Sequence, residues 1–365
     1  MPGRAGVTGR MQVNAARRSA VGRLLPARRT VRLVSGTLAL LLLMPFIMLL
    51  VFLRAMYGGS PDPQAHTRDR DALWLGPAWV DGRHDETDLA TLAARLDGTG
   101  VRDVFVHTGP LSHDGTLPAG RSPRARWLTG AMAEQLPGVR VQAWLGTVPA
   151  GDEHPGDGRL RLDDTETRGN VVAGARQVLE LGFDGIHLQV DGVRSGDPGY
   201  LELLEDLGAA LHEVDAVLSA TAHQIEPLPA LHTVAAPVAD RPKWWAQSYF
   251  REVSERVDQI AVPGHDAVTP LESLYGGYVA QQTELALQVT PQDTDLLIGL
   301  PFLHERDLLH RAETVPSAVR GVRLGLSRED ILRERFGVGL YVDYAATPGD
   351  WLAYRRDWVG PAAPP

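Results

Sequence analysis

One uninterrupted apolar stretch stands near the N-terminus, at residues 33–53 (LVSGTLALLLLMPFIMLLVFL). It carries no charge, and a helix of this length spans a hydrocarbon core of about 30 Å. Pro45 is compatible with such a helix, because lone prolines are tolerated within membrane spans. No later segment repeats the pattern. The stretch therefore predicts a single transmembrane helix that anchors the chain in the lipid bilayer.

The flanks of this stretch predict its orientation. Residues 1–32 contain eight arginines and no acidic residue, so this tail is expected to stay in the cytoplasm. A cleaved signal peptide is the alternative, but its apolar core is shorter and a small-residue cleavage site follows it, whereas LRAMYGGSPDPQ follows here. The polar residues 54–71 suit a short linker. We expect an extracytoplasmic domain at residues 72–360, held at the cell membrane by an uncleaved signal anchor.

Strand-like and helix-like patterns alternate through this domain. One helical stretch per strand is typical of a parallel sheet covered by helices, and eight such units predict a (β/α)8 TIM barrel. An open doubly wound sheet is the alternative, but the chain has neither a GxGxxG after the first strand nor a GxxxxGK phosphate loop. The predicted strands are 72–76, 103–107, 139–145, 185–190, 217–222, 259–262, 296–300 and 338–342. The predicted helices are 87–96, 126–135, 171–181, 200–212, 245–257, 274–287, 306–326 and 351–358.

Composition excludes several classes of function. Removing the eight arginines of the tail from the net charge of −9 leaves −17 for the rest, which argues against a nucleic-acid partner. The absence of cysteine excludes disulfides and thiolate metal sites. His304 and His310 are six residues apart, not the four of a zinc motif, so we expect neither metal nor cofactor. Lys243 is the only lysine among 36 lysine and arginine residues. We attribute the preference for arginine to coding bias, and Lys243 predicts no function.

The segment GFDGIHLQVD at residues 182–191 departs from the apolar pattern of a buried barrel strand. Its aliphatic residues alternate with His187, Gln189 and Asp191, so the aliphatic side faces the helices and the polar side faces the barrel interior. These three side chains rise toward the C-terminal end of the barrel, where barrel enzymes keep their active sites. Three buried polar groups in line need hydrogen-bond partners.

Other strands bring polar residues to the same end of the barrel. They are Ser219, Thr221 and His223 on the fifth strand, His265 and Asp266 after the sixth, and Tyr341 and Asp343 on the eighth. Trp79 and Trp144 lie near strand ends, where indoles can stack on sugar rings. The pattern predicts a polar cleft; a hydrogen-bonded polar core without a substrate, and tryptophans that only pack, are the alternatives.

At these residues the sequence resembles glycoside hydrolase family 18, the chitinase-like barrel, whose fourth strand bears DGxDxDxE. Asp184 and Gly185 match the opening of the motif, whereas His187 and Gln189 replace its two inner aspartates and Asp191 replaces its glutamate. The segments 217–223, 257–266, 274–282, 296–305 and 336–345 also resemble parts of this family. At the end of the sixth strand, Met-x-Tyr-Asp is usual, and here only Asp266 remains.

The resemblance implies a glycan such as a cell-wall polysaccharide as partner, with Asp191 as the general acid. Gln189 would then orient the substrate, His187 and Asp184 would support it from below, and His265 with Asp266 would close the opposite side. The replacements argue for altered or lost catalysis, since Asp191 is one methylene shorter than glutamate and Gln189 cannot neutralise positive charge. Two hypotheses stay open: a membrane-anchored glycoside hydrolase, and an inactive barrel that binds glycan or protein as a sensor or scaffold.

Overall fold

The computed structural model describes residues 43–44, 47–147, 160–228, 243–265, 267, 269–303 and 311–360. Eight parallel strands close into a barrel in the order β1-β10-β9-β8-β5-β4-β3-β2, which confirms the predicted TIM barrel. A two-stranded sheet of β6 and β7 stands between β5 and β8 in the sequence. The strands are β1 Asp71–Leu75, β2 Val101–Leu111, β3 Arg140–Thr147, β4 Gly185–Gln189, β5 Val217–Thr221, β6 Gln224–Ile225, β7 Trp244–Trp245, β8 Gln259–Val262, β9 Asp295–Pro301 and β10 Phe336–Tyr341.

Helices follow the barrel strands and cover the sheet. They are α1 Ala78–Asp81, α2 Glu86–Leu96, α3 Ala125–Gln135, α4 Thr165–Leu179, α5 Pro198–His212, α6 Gln247–Ser254, α7 Glu272–Val289, α8 Val315–Glu329 and α9 Pro348–Tyr354. A π-helical turn at Arg355–Val359 continues α9.

The helix starts differ most from the sequence prediction at α4 and α8, and at α6 a residue predicted as helical lies in a strand. Helix α4 begins at Thr165 instead of 171, since the side chain of Asp164 caps it by accepting from the N–H of Glu166. Helix α8 begins at Val315 instead of 306, with Thr314 as its cap and a proline in its first turn. Helix α6 begins at Gln247 instead of 245, because the two preceding tryptophans form β7.

The barrel separates two apolar clusters, as the alternation on β4 predicts. Ile186 and Leu188 are fully buried in the large cluster between sheet and helices. The smaller cluster lies inside the barrel and contains three large aromatic side chains, Trp74, Phe105 and Trp144, beside aliphatic ones. The inner face of the sheet therefore carries aromatic rings as well as aliphatic side chains.

Ion pairs close the N-terminal end of the barrel. The buried carboxylate of Asp103 accepts from Arg140 Nε at 2.7 Å and from the amides of Gln142 at 2.9 Å and Gln259 at 3.1 Å. Asp295, also buried, pairs with Arg102 at 2.8 Å. Buried charges of this kind are stable only when paired, and here each acid has an arginine partner. Paired side chains fill this end of the barrel, so a ligand would enter the interior from the other end.

Asp71 joins the start of β1 to the C-terminal end of the chain. Its buried carboxylate accepts from the backbone N–H of Val338 at 2.8 Å, the Tyr354 hydroxyl at 2.7 Å and the Trp358 indole at 3.0 Å. Thr67 adds a fourth donor at 2.9 Å. The residue thus ties the first barrel strand to the last strand and to the final helical turns.

The residues expected to form a linker are packed against α7 and α8. Leu53 is buried, and a Cβ placed on Gly277 would lie 1.8 Å from its carbonyl oxygen. Arg320 donates to the carbonyl of Gly59 at 2.7 Å, and Arg328 donates to that of Met56 at 2.7 Å. The segment after residue 50 is therefore fastened to the barrel by close packing and by arginines that satisfy its carbonyl groups.

The predicted membrane span is only partly described. Residues 33–42 and 45–46 lie outside the described residues, while residues 47–56 are helical. No helix within the described residues is both long enough and apolar enough to cross a bilayer.

Candidate functional site

A cleft of about 380 Å³ opens at the C-terminal ends of the barrel strands. Its volume lies within the range of small-molecule sites. The residues that line it come from β1, β4, β5, β8, β9, β10 and the β6–β7 sheet. They are Trp74, Gln189, Val190, Asp191, Gly192, Thr221, Ala222, His223, Gln224, Lys243, Ala261, Val262, Pro263, His265, Gly299 and Tyr341.

Aromatic rings form the floor of this cleft. The ring of Tyr341 stacks on His265 with centroids 5.1 Å apart and meets Trp74 edge-on at 5.7 Å. Trp144, which does not line the cleft, lies 6.2 Å from Tyr341. Gly339 makes room for the indole of Trp74, because a Cβ there would lie 2.4 Å from its ring. Such a floor offers apolar faces to a flat ligand such as a pyranose ring.

A chain of hydrogen bonds runs from the cleft into the barrel through His187. The Ser219 hydroxyl donates to Gln142 Oε1 at 2.8 Å and lies 2.7 Å from His187 Nδ1, so Nδ1 carries the imidazole proton. His187 Nε2 then accepts from the Thr221 hydroxyl at 2.8 Å. These contacts supply the partners expected on the fifth strand. Burial lowers the pKa of His187 to about 3, so the ring is neutral at physiological pH.

Asp191 stands at the edge of the cleft, just after β4. Its backbone N–H donates to the Thr147 hydroxyl at 3.1 Å, which fixes the chain where it leaves the strand. Burial raises the pKa of Tyr341 to about 12, and electrostatic interactions with Tyr344 and Asp191 add to this rise. Asp191 and Tyr341 therefore line the same cleft, close enough for their charges to interact.

Several polar atoms in and beside the cleft have no hydrogen-bond partner among the described residues. They are Oε1 of Gln189, Nε2 of His223 and Nε1 of Trp74, with His107 Nδ1 and Trp144 Nε1 next to them. Burial lowers the pKa of His223 to about 4, so its ring is neutral. A buried polar group without a partner costs free energy. The arrangement is suited to a ligand, or to water, that supplies the missing donors and acceptors.

Five residues predicted for the site do not line the cleft, and one is outside the described residues. His187 and Trp144 contact lining residues, at Thr221 and Tyr341, whereas the other three bind elsewhere. Asp184 precedes β4 at the opposite end of the barrel, where its carboxylate accepts from the N–H of Val141 at 2.7 Å. Trp79 is buried and donates to Asp343 Oδ2 at 2.8 Å, and the other oxygen of Asp343 accepts from Gly76. This pair ties the loop after β1 to the loop after β10. Asp266 lies outside the described residues.

The cleft also contains residues that the sequence reasoning missed. Trp74 alternates with Leu73 and Leu75 on β1, so the period of two could have placed it inside the barrel. Gln224 and Lys243 carried no such signal, because the β6–β7 pairing brings together segments that are distant in sequence. Among the described residues, no group of three histidine, aspartate or glutamate side chains is arranged to hold a metal ion.

The barrel has the fold of a chitinase-like TIM barrel. It is similar to the spore cortex-lytic enzyme SleL of Bacillus megaterium QM B1551, with 13% identity over 82% of this chain and 76% of that one and a TM-score of 0.56. It is also similar to a chitinase from Chromobacterium violaceum ATCC 12472, with 14% identity over 80% of this chain and 98% of that one and a TM-score of 0.52. A class V chitinase from Pseudomonas fluorescens Pf-5 has 13% identity over 78% of this chain and 98% of that one, with a TM-score of 0.52.

No protein-family model matches the sequence, and no curated protein matches it. At such low identities to the solved structures, the likeness shows the fold alone. The function therefore rests on the residues of the cleft.

Proposed function

We propose that the cleft takes a glycan. The observation that carries this proposal is the combination of aromatic rings around Tyr341 with polar atoms on Gln189, His223 and Trp74 that have no partner in the part of the chain that the structure describes. Sugars have apolar ring faces and many hydroxyl groups, so they match both features at once. The similar structures are a spore cortex-lytic enzyme and two chitinases, and this supports the same class of ligand.

Asp191 is the residue that we propose as the general acid. It lines the cleft beside the aromatic floor, where its proton can pass to the glycosidic oxygen as the bond to the anomeric carbon breaks. The acetamido oxygen of the same sugar attacks that carbon, and Gln189 Oε1 accepts from the acetamido N–H. Water then opens the cyclic intermediate and returns the proton to Asp191.

Binding without hydrolysis is the second candidate function. It is favoured by Gln189, which stands where the resemblance implies a second carboxylate and cannot neutralise the positive charge formed during attack. Asp191 is the only carboxylate among the residues that line the described cleft. An inactive barrel with this cleft would act as a glycan sensor or scaffold.

The place of action that we propose is the outer face of the cell membrane. The uncharged stretch 33–53 and the arginine-rich tail support this orientation. The described helical residues of the stretch add exposed apolar side chains, such as Ile47, Met48 and Val51. Carbonate extraction of membranes tests the proposal: the full chain should stay in the pellet, and its release would contradict an anchor.

Hydrolysis and binding can be measured together on the full chain in mild detergent. The panel should contain β-linked N-acetylglucosamine oligosaccharides and cell-wall glycan fragments, with wild type beside Asp191→Asn. We expect turnover to fall by at least about a hundredfold in the variant, as for the loss of a general acid, while ligand still binds. Asp206→Asn, which removes an exposed carboxylate of α5, is the matched control and should behave as wild type.

The outcomes separate the two functions. Turnover that is lost only in Asp191→Asn supports the hydrolase. Binding without turnover in wild type supports the sensor or scaffold. A folded protein that binds none of the glycans would contradict both.

A further inference from the structure

Lys243 is the only lysine in the chain, and it lines the cleft together with Asp191, His223 and His265. All other basic residues apart from histidine are arginines, and none of those in the described residues lines this cleft. Coding bias explains why arginine dominates elsewhere. It does not explain why the one ammonium group lies at the candidate site.

The backbone that carries Lys243 is held firmly. The residue directly precedes β7, which pairs with β6 through Gln224 and Trp244. The side chain of Gln282 on α7 binds both backbone groups of Ile225 in β6, at 2.7 Å and 2.9 Å. These hydrogen bonds attach the β6–β7 sheet to α7. Lys243 directly precedes this sheet, so its backbone lies beside an attached strand.

A second contact orients the ammonium group. Lys243 Nζ lies 5.8 Å from the centroid of the Trp244 ring, within range of a cation–π interaction. The indole N–H of Trp244 in turn faces the Tyr278 hydroxyl at 3.4 Å. The positive charge is therefore held near an aromatic face at the edge of the cleft.

The charges in the cleft lining suggest what this ammonium group does. Apart from the histidines, the charged residues that line the described cleft are Asp191 and Lys243. An acidic group on the ligand would form a charge-assisted hydrogen bond with the ammonium group, which a neutral sugar cannot do.

We propose that Lys243 binds an acidic group of the ligand, so that the cleft selects a glycan with a carboxylate or a phosphate on the sugar beside Asp191. This inference rests on the proposed function, because it assumes that the cleft takes a glycan. It adds the substrate class: an anionic glycan is preferred over a neutral one of the same backbone.

A matched pair of ligands tests the selection. The probes are a peptide-free glycan tetrasaccharide of alternating N-acetylglucosamine and N-acetylmuramic acid, and the same compound with its carboxylates reduced to alcohols. We expect full-length wild type to bind the acidic form at least about tenfold more tightly by calorimetry. Lys243→Met should bring this ratio close to one, and Lys243→Arg should restore most of it. Arg251→Met, which removes an exposed positive charge of α6, should keep the wild-type ratio.

Each other outcome overturns a defined statement. Equal binding of both forms by wild type overturns the selection of anionic glycans but leaves the proposed function standing. If the ratio of the two affinities is unchanged in Lys243→Met, a group other than Lys243 binds the acidic group, and the proposed role of Lys243 is wrong. Binding of neither form, nor of any neutral glycan, overturns the proposed function together with this inference. Replacing the carboxylate by a phosphate ester at the same position distinguishes the two acidic groups.

The single lysine allows a direct readout as well. Reductive ¹³C-methylation labels only Lys243 and the N-terminal amine, and the Lys243 signal is assigned by its absence in Lys243→Arg. Its NMR resonance should shift when the acidic tetrasaccharide is added and stay unchanged with the reduced form. A signal that responds equally to both forms would contradict contact with the acidic group.

Discussion

The imidazole of His187 stacks on the ring of Phe105 inside the barrel, with centroids 3.9 Å apart and planes inclined by 13°. Both ring nitrogens are hydrogen-bonded, to Ser219 and Thr221, and both partners are uncharged hydroxyl groups. His187 stands where the chitinase-like motif has a carboxylate. Here it is a neutral ring that packs on Phe105 and is hydrogen-bonded to two hydroxyl groups.

This environment predicts a pH-dependent stability. The pKa of His187 falls from 6.5 in the unfolded chain to about 3 in the fold. Between these values only the unfolded chain binds the proton, so the free energy of unfolding decreases as the pH falls, by up to about 1.4 kcal/mol per pH unit. Above pH 6.5 both states are neutral and the contribution to the pH dependence is absent.

His187→Gln should remove this slope. Urea denaturation of the full chain at several pH values between 6.5 and 4.5 measures it, with His212→Gln on the exposed end of α5 as control. We expect the difference in unfolding free energy between wild type and His187→Gln to shrink as the pH falls. Parallel curves for the two proteins would refute the neutral, buried imidazole.

The close approach of Leu53 to α7 predicts that Gly277 accepts no side chain. The Cβ of Gly277→Ala would meet a backbone oxygen at 1.8 Å, so residues 50–57 must move away from the barrel. We expect trypsin to cleave within residues 54–70 at least about tenfold faster, since local opening controls cleavage. Gly130→Ala is the control, because nothing lies within 4 Å of its Cβ position in α3. Equal cleavage rates in the two variants would rule out the docked arrangement.

The four donors around Asp71 predict a large cost when one is removed. Tyr354→Phe deletes the hydroxyl at 2.7 Å and leaves a fully buried carboxylate with a weaker set of partners. We expect the free energy of unfolding to fall by about 1–3 kcal/mol, as for a buried hydrogen bond to a charged group. Tyr344→Phe, at an exposed position, should change it by less than about 0.5 kcal/mol. A similar effect of both changes would speak against this role of Asp71.

Trp74 is predicted to contact ligand through its indole N–H. This donor is buried at the cleft and has no partner among the described residues, so Trp74→Phe keeps an aromatic ring and removes only the donor function and some volume. We expect glycan affinity to fall by about tenfold, close to the value of one hydrogen bond. Calorimetry with the tightest-binding glycan of the panel measures the change. Trp127→Phe, on α3 beside Arg124, is the control, and equal losses in both would exclude a ligand contact of Trp74.

The sequence by itself determined the architecture. The period of two along the strands and the helical pattern between them are local properties, and they placed all eight barrel strands within a few residues of their observed bounds. The same period assigned His187 and Gln189 to the barrel interior. Where helix starts were missed, as at Thr165 and Val315, a capping residue in the sequence still carried the information.

The tertiary structure decided which polar residues share a site. Trp79 and Asp343 are far apart in sequence, and only the closed barrel shows that they bind each other. Lys243 reaches the cleft because β7 pairs with β6 and Gln282 holds that sheet. Hydrogen-bond pairing and burial depend on contacts between distant segments, whereas hydrophobic periodicity depends on neighbours along the chain. For this reason the barrel and several polar residues of its cleft, such as Gln189 and Asp191, could be predicted from the sequence, but the contribution of Lys243 could not.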